Sequence, residues 1–330
     1  MTSLPPRRGR PGLQLGIHVG QQNTMMPDLI QRVQRMDGIV DWISVWDHLY
    51  EAPPNGGTTP HYEAVATLGA LAAVTSQARL GCLMFCVPFR NPALLAKACV
   101  AIDHVSGGRF EPGFGAGWHE PEFKAHGYDF PSLGTRFDML TDGLEIITGM
   151  CDGDTTMGAT TTYEGDHFSV DEVTCVPGPL NGSMPLWAGG RGPKRTPAIA
   201  ARYCSGWNVP YVGPEEFGRL NRQLDEACAA IGRDPVTLER SVNLAFHMGA
   251  TRDAADGELQ RIIDQWGPEM AERVTTGALT GTPDDALEQI AAFRDAGADL
   301  VNVALRLPVD DDALDAYFEA VIPAAHEAFA

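Results

Sequence analysis

The chain has 330 residues, 44% of them apolar, with 36 glycines and 24 prolines, which is the composition of a globular protein rather than a disordered or membrane-embedded one. Its 43 acidic residues against 24 basic ones give a formal net charge of −19, and this works against nucleic acid or anionic lipid as partners, because both need lysine and arginine set against phosphate. An anionic small molecule would need local cations or backbone amides to overcome that field. Residues 1–12 (MTSLPPRRGRPG) read as a Pro/Arg-rich tail without the apolar run of a secretory signal, and apolar stretches such as 68–74 are far short of a membrane span. Seven scattered cysteines with no Cys-x-x-Cys pair read as reduced thiols of a cytoplasmic protein.

Short β-type runs alternate with longer segments of helical period. A strand at 13–18 (LQLGIH) precedes a helix near 27–36 and a second strand at 42–46 (WISVW). A helix near 62–74 leads to the third strand, 80–85 (LGCLMF). Residues 92–105 place Leu94, Leu95, Ala98 and Ile102 on one helical face, and Asn91-Pro92 supplies an N-cap followed by proline at the first helical position. A strand near 110–114 and a long helix around 135–150 complete the first half. The second half repeats the rhythm, with strands at 184–188, 206–209, 242–247 and 300–305 and helices near 197–203, 214–231, 283–296 and 312–328. Eight strands, each followed by a helix, imply parallel strands with right-handed crossovers, and predict a single α/β domain over 1–330: a (β/α)8 TIM barrel, in preference to an open doubly wound sheet. Two segments break the rhythm. Residues 151–183 hold a candidate β-ribbon (TTYEGDHFSV), and 249–281 form a partly helical excursion after the seventh strand; both are expected to decorate the C-terminal rim.

Functional groups of such a barrel sit where strands end and βα loops begin. This rule selects Asp47 and His48 after the second strand, Cys86 after the third, and Gly113, Gly115, Gly117 and Trp118 after the fourth. It also selects the loop 189–195 (GGRGPKR) after the fifth strand, Tyr211 after the sixth and Arg306 after the eighth. In the loop, Gly189, Gly190 and Gly192 let backbone amides approach a ligand, the next helix start adds unpaired N–H groups, and Arg191, Lys194 and Arg195 add cations. That is a phosphate cup, or else a flexible turn with solvated cations. Gly113-x-Gly115-x-Gly117 is not a dinucleotide fingerprint; its small residues either let a flat ring lie against the mouth or make a tight strand-end turn. Asp47 beside His48 reads as a carboxylate tuning an imidazole for proton transfer, or as a strand end satisfying its own backbone. No His or Cys cluster has metal-ligand spacing, so no metal is expected, and no Gly-x-Ser-x-Gly elbow marks a serine hydrolase. Arg306 either meets an anionic group or serves as a structural ion-pair partner.

Several longer motifs carry a resemblance. Residues 88–97 (PFRNPALLAK), 102–110 (IDHVSGGRF) and 113–118 (GFGAGW), with 45–48 (VWDH), 136–140 (RFDML), 188–192 (AGGRG), Lys194-Arg195-Thr196, 206–208 (GWN) and 281–283 (GTP), are similar in order to the bacterial-luciferase-like superfamily, above all its coenzyme F420-dependent branch. The likeness runs from about residue 13 to 307. It implies a TIM-like barrel binding a flavin or deazaflavin at its C-terminal mouth, with the ring on a bulged third strand beside a non-prolyl cis peptide that the motif places at Leu83–Met84. It further implies that the cofactor phosphate sits on the loop of Gly189, Gly190, Arg191, Gly192, Lys194 and Arg195. Gly115, Gly117 and Trp118 would then border the ring, and Cys86 stands where relatives often carry Thr or Ser. Trp118 also stands where some sugar-phosphate-oxidising relatives carry a catalytic glutamate, which disfavours that chemistry here. His48 becomes the proton donor and Asp47 its tuning partner. The implied activity is hydride transfer between F420 and a small organic substrate. An FMN-dependent monooxygenase of the luciferase or alkanesulfonate type is the alternative, and a non-catalytic flavin-binding barrel the third reading. A homodimer is expected from the same resemblance.

Overall fold

The computed structural model describes residues 12–51, 57–151 and 159–330. The expected N-terminal tail thus lies outside the described residues except for Gly12, as do residues 152–158 of the first insertion. The chain begins with β1 (Gln14–Val19), α1 (Met26–Met36), β2 (Trp42–Val45), α2 (Ala64–Val74), β3 (Arg79–Cys86), α3 (Pro92–Val105) and β4 (Phe110–Gly115). A short α4 (Glu120–Ala125), absent from the sequence reading, precedes α5 (Leu133–Cys151). The first insertion holds the antiparallel hairpin of β5 (Thr161–Glu164) and β6 (Ser169–Val173). The alternation then resumes with β7 (Trp187–Gly189), α6 (Arg195–Tyr203), β8 (Gly206–Pro210), α7 (Pro214–Ala230) and β9 (Glu239–Met248). A second insertion consists of α8 (Arg252–Trp266), α9 (Pro268–Thr276) and β10 (Ala278–Gly281). It is followed by α10 (Pro283–Asp295), β11 (Leu300–Leu305), α11 (Asp311–Ala316) and α12 (Ile322–Ala328).

Eight strands close into a parallel barrel in the order β1, β2, β3, β4, β7, β8, β9, β11, with β11 returning to β1. The expected (β/α)8 fold is therefore the observed one. β9 is longer than the sequence suggests because it serves three neighbours: β8 from Glu239, β11 from Ser241, and β10 at its far end, where Ala245 pairs with Ala278. Local chemistry sets the helix ends. Asn91 Oδ1 accepts from the amides of Ala93 and Leu94 at 2.9 and 3.1 Å, and Pro92 follows it, so α3 starts where its sequence says. The expected single helix at 312–328 is instead divided by a π turn, Tyr317–Val321, because Pro323 has no N–H to donate back to the preceding turn. Among the described residues no helix is long and apolar enough to cross a membrane.

Alternate strand residues face the helix layer, and Ile17, Ile43, Leu80, Phe110, Leu244 and Val301 there are completely buried. Truncating any of them to alanine is expected to cost about 2–5 kcal/mol. Inward residues fill the barrel, large against small. A Cβ on Gly81 would fall 2.5 Å from the Trp42 ring, and one on Gly206 2.3 Å from that of Trp187. At the N-terminal end Arg79 bridges two carboxylates, with Nη1 3.0 Å from Glu111 and Nη2 2.9 Å from Glu239. The Trp187 indole donates to Glu111 at 3.0 Å, and Arg79 lies over the Trp42 ring. This end is closed.

Candidate active site

At the opposite end, β2 runs into Asp47 and His48, and the structure gives these neighbours different partners. Asp47 is buried and takes both Arg90 Nη groups, at 2.5 and 2.7 Å, together with the Cys86 amide at 2.8 Å. It therefore ties the end of β2 to the turn after β3. The carboxylate that meets His48 belongs to Glu122 on α4, whose Oε2 lies 2.9 Å from His48 Nδ1. The expectation that Asp47 tunes the imidazole is corrected: its oxygens already serve Arg90 and Cys86, and the short helix carrying Glu122 was not foreseen.

Two further histidines converge on this end without having been singled out from the sequence. His18 on β1 is buried, with Nδ1 2.8 Å from Ser44 Oγ and its ring edge-on to Trp46. Burial, then the charges of His48 and Arg306, depress its pKa to about 3. His61 accepts the Trp46 indole N–H at Nε2, 3.0 Å away. An indole nitrogen only donates, so the neutral His61 carries its proton on Nδ1, a buried atom with no partner among the described residues. Burial first, and then the charge of His48, lowers His61 to about 4. Trp118 is 61% exposed, with its indole edge-on to His48 at a centroid distance of 5.7 Å.

The third strand is irregular where the sequence reading placed the irregularity. The Leu83–Met84 peptide is cis, and the register with β4 shifts between Cys82 and Phe85. The glycines opposite serve this strand. A Cβ on Gly113 would lie 2.3 Å from Met84 Sδ, and one on Gly115 or Gly189 would also meet Met84. Gly117, at φ +73°, makes room for Cys86 and Phe123. Part of the space these glycines leave is thus taken by Met84, Cys86 and Phe123. The Cys86 thiol packs with Phe89 and Phe123, and burial raises its pKa well above the ordinary thiol value.

The loop after β7 separates its three cations. Gly190, at φ +135°, donates its N–H to Asn208 O at 3.0 Å, and Gly192 folds over Thr196. Arg191 is exposed and donates to the Tyr211 carbonyl at 3.4 Å, while Lys194 is exposed at the start of α6, a helix without a side-chain cap. Arg195 turns away toward α5, donating to Gly134 O at 3.0 Å, pairing with Asp138 and stacking on Phe137. Arg195 therefore leaves the expected cup. Arg306 is exposed over the Tyr211 ring, and among the described residues no carboxylate pairs with it.

Residues 42–300 match the model of the luciferase-like monooxygenase family. The chain belongs to that family. It is 25% identical to the FMNH(2)-dependent dimethylsulfone monooxygenase of Pseudomonas fluorescens over an alignment of 277 positions that covers 74% of this chain and 73% of that one. It is 29% identical to an uncharacterized protein of Mycobacterium bovis over 227 residues, 69% of this chain and 72% of the other. Its fold matches that of an F420-dependent secondary alcohol dehydrogenase solved with an F420-acetone adduct, at a TM-score of 0.81 and 20% identity, covering 95% of this chain and 99% of that one. The chain is accordingly an oxidoreductase of the luciferase-like class, in which both F420-dependent and FMN-dependent enzymes occur.

In this luciferase-like barrel the C-terminal mouth brings together His48, Trp118, His18, His61 and Arg306. Gly189, Gly190, Arg191, Gly192 and Lys194 border its other side, and Asp47, Cys86 and Arg195 act in the surrounding framework. A separate cleft of about 510 Å³ lies in the second insertion, against α10. Several of its polar groups have partners: His247 meets Glu258 at 2.7 Å, Arg252 meets Asp285 at 2.8 Å, and the Thr280 amide donates to Gln289 at 3.1 Å. Among the described residues no group of His, Cys, Asp and Glu could hold a metal.

Proposed function

We propose that this enzyme transfers a hydride between coenzyme F420 and a small organic substrate, with His48 as the proton-transfer group. The observation that carries this reading is the His48–Glu122 imidazole–carboxylate pair at a mouth where His18 and His61, at about 3 and about 4, are uncharged near neutrality. When bound, F420 supplies a hydride donor or acceptor that reacts poorly with oxygen, and leaves proton transfer to the protein. The residues present fit such a group. The start of α6 with Arg191 and Lys194 suits a phosphate, the exposed Trp118 suits a flat ring, and the buried His61 Nδ1–H awaits an acceptor. His48 then holds or releases a proton at the ring nitrogen not facing Glu122.

The FMN reading is favoured by the dimethylsulfone monooxygenase relative. That chemistry needs a site closed to water, and Trp118 beside His48 is 61% exposed. The two readings part in one experiment. The protein is titrated with F420 and with FMN, and each reduced complex is then tested for oxygen uptake and for reduction of added ketones. F420 binding, with acceptor reduction and no oxygen uptake, is expected. Tight FMN binding with oxygen uptake and no affinity for F420 would contradict the proposal.

A further inference from the structure

We infer that Glu122 is a positioning residue that holds His48 in one tautomer, with the proton on Nδ1, so that Nε2 is the nitrogen offered to the reaction. Although this rests on the reading of His48 above, it holds whichever cofactor binds. Glu122 is fully engaged: its side chain is 1% exposed and both oxygens are occupied. Oε1 accepts the amides of Leu49 and Tyr50, the latter at 3.3 Å, and Oε2 faces His48 Nδ1 at 2.9 Å. Backbone amides only donate, so Oε1 is an acceptor. Burial pushes the Glu122 carboxyl up, but the hydrogen bond and charge of His48 and the two amides together bring it below the usual carboxylate range. An ionised carboxylate has no proton to give, so the hydrogen between Oε2 and Nδ1 belongs to His48. Nε2 is then the nitrogen that gains and loses a proton. The same carboxylate grips the backbone after His48, so ring and main chain are anchored to one group. Trp118 stands edge-on against the ring at 5.7 Å and His119 at 6.4 Å.

The other groups that face His48 do not supply this hold. His18 on β1 and His61 before α2 are depressed to about 3 and about 4, with burial the largest cause in each. His119, which precedes α4, is also lowered, by burial first. Arg306 on the last barrel loop acts on His18, and Glu51 acts on His61. Glu122 is the carboxylate in hydrogen-bond contact with the ring.

Replacing Glu122 by glutamine makes a specific inversion. The amide oxygen must still accept from Leu49 and Tyr50, which turns the NH2 group toward His48 Nδ1 and forces that nitrogen to accept. The His48 proton then moves to Nε2. The test is 15N NMR of histidine-labelled protein without cofactor, the His48 signals being assigned by their loss in His48→Gln. In the wild type, neutral His48 is expected as the Nδ1–H tautomer, and in Glu122→Gln as the Nε2–H tautomer. Turnover in Glu122→Gln should fall about 100-fold or more with cofactor affinity kept. An Nε2–H tautomer in the wild type, or an unchanged tautomer in a folded Glu122→Gln protein, overturns the inference. The wild-type spectrum decides even if the variant does not fold. Because no cofactor is present in that spectrum, failure of F420 to bind would leave the tautomer result readable.

Discussion

The two ends of the barrel are both polar, both carry an arginine and both contain tryptophan, yet they are built to opposite ends. At the N-terminal end Arg79 sits between Glu111 and Glu239, and Trp187 donates to one of them; all five groups, with Trp42, are buried. At the C-terminal end Arg306 has no carboxylate partner among the described residues and Trp118 is exposed. Charge alone therefore does not mark a site. What distinguishes the mouth is polar capacity open to solvent, Arg306 and Trp118 standing exposed where Arg79, Glu111 and Glu239 are paired and buried.

The comparison can be broken first at the closed end. Arg79→Met leaves Glu111 and Glu239 buried without their cation and should destabilise the protein by about 3–5 kcal/mol in urea unfolding. A loss under about 1 kcal/mol would mean that the closed end is as dispensable as a surface pair. Acid should also act at the open end. His18 and His61 have folded pKa values below their ordinary 6.5, at about 3 and about 4, so unfolding takes up protons as soon as the pH drops below that value. Their contribution is fully present above about pH 6.5 and is lost as pH falls toward 3, with a slope of up to about 1.4 kcal/mol per pH unit for each. His18→Asn should flatten the measured dependence of unfolding free energy on pH over this window.

The smallest effects sharpen the division within the loop after β7. Arg191→Gln and Lys194→Gln should each weaken cofactor binding about tenfold, measured by titration, because a charge-assisted contact is lost. Arg195→Gln should leave affinity unchanged and reduce stability by only about 0.2–1 kcal/mol, as for other exposed ion pairs. Equal losses of affinity in all three variants would restore Arg195 to the cup.

What could be read from the chain was what repeats locally. The alternation of strand and helix yielded the eight barrel strands, Asn91-Pro92 marked the start of α3, and the ribbon in the first insertion is the observed hairpin. The motif likeness placed the cis peptide at Leu83–Met84. Partner choice was not legible. Asp47 and His48 are adjacent in sequence, whereas their partners Arg90 and Glu122 arrive from the turn after β3 and from α4. A small residue in a strand shows that space is needed without showing that Met84 fills it, as at Gly113. Three cations close together in sequence look alike until the start of α6 turns Arg195 toward Asp138. His18 was absorbed into an apolar strand, because only the closed barrel shows that its side chain points inward to Ser44.

The most direct test of the open mouth as the reaction centre is a paired measurement on His48→Ala: affinity for F420 by titration, and turnover with a ketone acceptor. The expected result is unchanged cofactor binding, with turnover reduced about 100- to 10,000-fold. Normal binding together with full turnover would contradict the account.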